Sequence, residues 1–143
     1  MIYKLSVAVL LIFSLAGCTD KLDTETDSAH ANPAGSWDIL AIGETLLHPE
    51  DFEGELPSMV LSPEEGTVSG YDGCNRFNGG ISVEEGQINF SELASTRRYC
   101  QHMDTIDLIT AAFAGATVEY EVIGDELLLK SKGQTLLSLA RQN

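Results

Sequence analysis

"TVEYEVIGDELLLK", Thr117 to Lys130, decides the fold class. Val118, Tyr120 and Val122 alternate with Thr117, Glu119 and Glu121, the two-residue period of a strand with one buried and one wet face. Gly124-Asp125 separates that run from "ELLLK", and a two-residue connection of this kind joins antiparallel neighbours in a tight hairpin.

The same grammar extends outward in both directions. Downstream, "KSKGQ" turns the chain into "TLLSLA". Upstream, "PSMVLS" and "TVSGY" flank the turn "PEEG", and "GGISV" and "QINF" flank "EEG". Near the start of the domain, "SWDILAIG" sets Trp37, Ile39 and Ala41 on one face with Leu40 and Ile42 opposite. Connections this short make an antiparallel sheet. One segment departs from the period. In "MDTIDLITAAFAG", Met103, Ile106, Ile109, Ala112 and Phe113 recur at three- and four-residue spacing and form one apolar helical face. Asp104 and Asp107 suit the positive end of the helix dipole, and Gly115 can close the helix. The expected fold is α+β, mainly β: a curled antiparallel sheet or open barrel of about eight strands with one helix over about 103–115.

At 143 residues and 15.4 kDa the chain has room for one core. Residues 1–17 stand apart from it. Lys4 precedes an apolar run from Leu5 to Leu15, too short for a bilayer that needs about twenty residues, so an export signal is expected. The ending "LAGC", Leu15 to Cys18, resembles the lipobox of bacterial lipoproteins, which implies cleavage before Cys18 and lipid on its sulfur and new amino group. Two or more acyl chains anchor stably. Thr19 in place of Asp after that cysteine suggests the outer membrane, facing the periplasm, under the enterobacterial sorting rule. Residues 18–35 then form an acidic tether, of which the seventeen from Thr19 to Gly35 have a root-mean-square reach of roughly 20–25 Å. His30 falls in it. The folded domain is expected over 36–143. Loss of residues 1–17 removes Lys4 and no acid, leaving seven basic and 22 acidic residues, a net −15. Such a domain is a poor partner for nucleic acid.

"SGYDGCNRFNGG", Ser69 to Gly80, is where composition becomes unusual. With Cys18 given to lipid, Cys74 and Cys100 remain, and an isolated pair in an oxidising compartment is expected to form a disulfide. Gly70, Gly73, Gly79 and Gly80 would permit positive φ, bulges or close backbone approach around it. Asn75 and Asn78 tolerate left-handed conformations and can bond their own backbone.

These residues resemble the META domain, as found in HslJ-like envelope lipoproteins. The matching core is Gly73, Cys74, Asn75, Phe77 and Gly79, followed by Thr96, Arg97 and Cys100. "GSWDILAI" and "VEYEVIGDELLL" look like that family's opening and closing strands, so the resemblance covers about residues 35–140. The sequence departs at Arg98, where an apolar residue is more usual, and at Asp107, where glutamate is frequent. The resemblance implies a compact antiparallel β fold with one helix, an envelope location and an association with stress tolerance. It implies no catalytic activity.

Residue chemistry agrees with a non-enzyme without a cofactor. No H-E-x-x-H, P-loop or G-x-S-x-G is present, and the one nucleophile–base candidate, Cys74 or Cys100 with His102, loses its thiol to a disulfide. Cys74, Cys100, His102 and Met103 would suit Cu(I), but they lack paired ligand spacing. Arg76, Arg97 and Arg98 lie within three residues of a cysteine, so a Cys74–Cys100 bridge would gather them into a candidate site for a carboxylate, phosphate or acidic sugar. Internal pairing with the many acids is the competing reading. Arg97 is expected to be a buried structural partner, with Arg76 and Arg98 open to a ligand. A second binding possibility is docking of the acidic domain to a basic envelope enzyme such as lysozyme.

Overall fold

Side chains that alternate in the sequence alternate in space. In β1 (Gly35–Ile42), Trp37, Ile39 and Ala41 are buried while Leu40 faces water, so the two-residue period closes one strand face onto a core. The computed structural model describes residues 31–143. The expected export signal over 1–17, the lipid attachment at Cys18, His30 and most of the 18–35 tether lie outside the described residues.

Nine further strands follow. β2 (Thr45–Leu46) doubles back on β1, and a 3₁₀ turn at Pro49–Phe52 leads to β3 (Ser58–Ser62) and β4 (Thr67–Tyr71). β5 (Arg76–Glu84) and β6 (Gln87–Phe90) form a hairpin, with β7 (Ala94–Ser95) returning along the start of β5. The helix α1 (Met103–Ala111) precedes β8 (Thr117–Ile123), β9 (Glu126–Ser131) and β10 (Gln134–Arg141).

All pairings are antiparallel. The main order runs β10-β9-β8-β6-β5-β4-β3-β1, and β10 pairs with β1. Eight strands therefore close into a barrel, with β2 and β7 as additions. The expected mainly β fold with one helix is present, and the closure goes beyond a curled sheet or open barrel. Its physical cause is the register Trp37↔Arg141 and Ile39↔Leu139, which satisfies the backbone groups two edge strands would leave open. Arg141 also lies over the Trp37 ring, 4.2 Å from its centroid, and donates to the Ala34 carbonyl at 3.1 Å. The first and last strands of the barrel are thus pinned side by side.

Register places the connections at two poles. The turns after β3, β5 and β8 share one pole with Gly35 and Arg141. The opposite pole holds the β4–β5 turn, the 3₁₀ turn and α1. Ile106 and Ile109 of α1 are buried, Met103 and Ala112 pack against the core, and Phe113 closes the barrel there, its ring 5.6 Å from Phe77 and 5.1 Å from Phe90. The helix ends at Ala111, before the expected Gly115, because the chain turns to bring Phe113 inward. Gly115 completes that turn at φ +66°.

Candidate functional site

The β4–β5 turn is built by Asp72. Its Oδ1 accepts from the backbone N–H of Cys74 at 2.8 Å and of Asn75 at 2.6 Å, while its own N–H donates to the Asn75 carbonyl at 2.9 Å. This is the local side-chain-to-backbone bonding that aspartate offers in turns. Gly73 sits inside it at φ +102°, and a Cβ there would run into the Phe52 ring. Both conformation and space therefore require glycine. The other glycines of the stretch work differently: Gly70 and Gly79 lack positive φ, and a Cβ on Gly79 would lie 2.8 Å from Leu93. Close approach, rather than special dihedrals, is the role of these two, and Gly80 has room for a Cβ at ordinary contact distance.

The turn presents Cys74 to Cys100. The two form a disulfide with α-carbons 5.9 Å apart across 26 positions. Asn75 completes the junction. Its buried Oδ1 accepts from the Thr96 hydroxyl at 3.0 Å and from the Arg98 N–H at 2.7 Å. Thr96 Oγ1 in turn accepts from the Arg76 N–H at 3.2 Å, and the Thr96 N–H donates to the Arg76 carbonyl at 3.0 Å. Asn75 is thus a long-range clamp, not the left-handed, self-bonding turn residue expected for Asn75 and Asn78; Asn78 is exposed within β5. Gly73, Cys74, Asn75 and Thr96 lock two segments together, and Phe77 is in the core.

The three arginines surround this lock but not as expected. Arg97 is exposed and forms no ion pair among the described residues. The expectation of a buried Arg97 fails because its neighbours face inward: the Thr96 hydroxyl and the Arg98 N–H both bond Asn75, which turns residue 97 outward. Arg98 is the paired residue, 3.7 Å from Glu53, with both side chains more than half exposed. Such a pair is weak and screened by salt. Arg76 heads β5 directly opposite Tyr71 on β4 and is exposed without an ion-pair partner among the described residues.

Arg76 and Arg98 line one groove of about 470 Å³, together with Tyr71, Thr96, Glu53 and Glu55, over the disulfide. Burial, with the nearby Glu53 and Glu55 carboxylates, raises the Tyr71 phenol above its ordinary range against a lowering by Arg98, so at neutral pH it keeps a proton to donate. Arg97 lies on a neighbouring groove of about 390 Å³ that also contains Arg98 and Asn75. A metal has less support. Both thiol sulfurs of the Cys74, Cys100, His102 and Met103 set are in the disulfide, and no group of three or more His, Cys, Asp or Glu residues placed to hold a metal occurs among the described residues. His102 sits at φ 60° and accepts with its carbonyl from the Thr105 and Ile106 N–H groups, starting α1. Asp72, Tyr71, Glu53 and Glu55 join the site through the fold rather than through a sequence motif. "DG" before a cysteine was a usable signal for Asp72; the glutamates offered none.

An eight-stranded antiparallel barrel, capped by one helix and stapled at the capped pole, is a small disulfide-bonded β domain. The chain belongs to the META domain family, whose model matches residues 32–143. Two proteins with NMR structures share the fold. One has a TM-score of 0.59 at 20% identity, covering 82% of this chain and 92% of that one. The other, from Burkholderia xenovorans, has a TM-score of 0.56 at 21% identity, covering 76% and 82%. At these identities the likeness is one of fold. Among curated proteins, no match to the chain is found.

Proposed function

We propose that this chain is a lipid-anchored, non-enzymatic binding domain of the bacterial envelope, serving stress tolerance by holding a small anionic ligand at the arginine-lined groove. The observation that carries the reading is the convergence of Arg76 and Arg98, 22 positions apart, on one groove with the Tyr71 phenol. Guanidinium forks suit carboxylates and phosphates, and a protonated phenol adds a donor. The polarity of the barrel supports it too. Gly35 enters at the pole opposite the groove, so a tether from Cys18 would join the domain away from the groove and leave it open.

Arg76→Ala/Arg98→Ala is the direct test, because both side chains are exposed and their loss leaves the core intact. NMR titration of the parent with inorganic phosphate and with glucuronate is expected to saturate; the double variant should bind at least about tenfold more weakly, given the worth of hydrogen bonds to charged groups. Unchanged anion binding together with unchanged stress tolerance would remove the reading. The anchor is checked separately: the intact mass of protein extracted from membranes should carry lipid at Cys18 and begin there.

A further inference from the structure

We infer that the groove over the disulfide takes a zwitterion, a free amino acid or short unblocked peptide, with Arg76 receiving the carboxylate and Glu55 the ammonium. This rests on the arginine-groove reading and sharpens it. Four charged side chains line the groove: Arg76, Arg98, Glu53 and Glu55. Arg98 and Glu53 answer each other at 3.7 Å. That leaves one charge of each sign, Arg76 and Glu55, exposed in the same groove and in no ion pair with each other or with any other described residue. Opposite charges that share a groove without meeting suit a ligand that carries both signs and bridges them.

Both ends are held in place by backbone structure. Arg76 is fixed by its N–H to Thr96 Oγ1 and by its register opposite Tyr71. Glu55 follows the 3₁₀ turn, its N–H directed to the Phe52 carbonyl at 3.4 Å. Between turn and Glu55 stands Glu53, at φ 59°. A non-glycine residue there stores backbone strain, and strain of this kind gathers where the surrounding structure over-determines a site. Phe52, Cys74 and the half-buried Tyr71 also line the groove, surface that would cover the short apolar part of such a ligand. The volume falls within the range of small-molecule sites.

Selectivity follows from repulsion. A plain anion on Arg76 meets the Glu53 and Glu55 carboxylates, and a plain cation on Glu55 meets Arg76 and Arg98. A ligand with both charges satisfies both walls, whereas a plain anion occupies the Arg76 side alone and binds more weakly.

The test is an NMR titration of the full chain with alanyl-alanine, N-acetyl-alanyl-alanine and alanyl-alanine amide. Unblocked dipeptide should shift Tyr71, Glu55 and Arg76 and bind about two- to fivefold more tightly than either blocked form, the worth of one exposed ion pair. Glu55→Gln should remove the preference over the N-acetyl form, leaving affinity for that form equal or higher, while the preference over the amide, which Arg76 confers, remains. Equal binding of N-acetylated and free dipeptide overturns the zwitterion and leaves a simple anion groove. Failure of all three peptides while phosphate and glucuronate still bind does the same. Failure of peptides and anions alike removes both readings.

Discussion

Removing the Cys74–Cys100 bridge is expected to lower the melting temperature by roughly 14 °C. On the chain-entropy model a bridge spanning 26 positions stabilises by about 3.5 kcal/mol, and for a domain near 110 residues each kcal/mol corresponds to about 4 °C. The protein should nevertheless stay folded at 25 °C, because a domain stable by roughly 5–15 kcal/mol survives that loss. The barrel's closing pair, β1 with β10, is also remote from the bridge. The right variant is Cys74→Ala/Cys100→Ala, since Cys74 is buried in the core and serine would hide a hydroxyl there. Thermal melts of that variant and of the parent with dithiothreitol should agree. Hydrogen exchange at the Arg98 N–H, bonded to Asn75 beside the bridge, should accelerate more than at β1 or β10. A shift below about 3 °C in both samples would mean that the clamp of Asn75 and Thr96 holds the segment without the sulfurs.

What could be read from the residues alone, and what could not, divides by the distance over which the information acts. β8 at Thr117–Ile123 and β6 at Gln87–Phe90 begin and end where alternation begins and ends, because strand faces are written locally. β2 and β7 were invisible: each has two residues, and each exists only because a neighbouring strand offers its edge. Closure was invisible for the same reason. Nothing near Trp37 announces Arg141 as its partner across the seam.

The site follows the same division. The cysteines were legible as a pair because few alternatives remained for them. Asn75 and Thr96 were visible as motif residues, but their joint action was not, since the bond between them spans 21 positions. Arg97 is exposed rather than buried because it lies in an irregular segment, where no period tells which side chain turns outward. Glu53 and Glu55 were lost among 22 acids, and only the fold distinguishes a carboxylate that faces a groove from one that faces water.

Phe113→Ala is expected to be the most damaging single core substitution at the capped pole, costing about 3–5 kcal/mol. The ring is fully buried just beyond the end of α1, between Phe77 of β5 and Phe90 of β6. A nine-residue helix has little stability of its own, so α1 persists because Ile106, Ile109 and Phe113 tie it to the barrel end. Truncating the ring should therefore do two things. Melting should fall by roughly 12–20 °C, and amide protection should drop further through α1 than through β1 and β10. Phe113→Leu keeps an apolar plug without the tilted ring contacts and should lose less on both measures. The two variants separate plugging from aromatic contact: equal losses would assign the effect to the rings themselves, and a loss below about 1 kcal/mol for alanine would show that the barrel end closes without the plug. Since Met103, the first residue of α1, lies three positions after Cys100, loosening the helix should also relax the segment that carries Arg97 and Arg98, and so weaken binding at the groove before the barrel itself gives way.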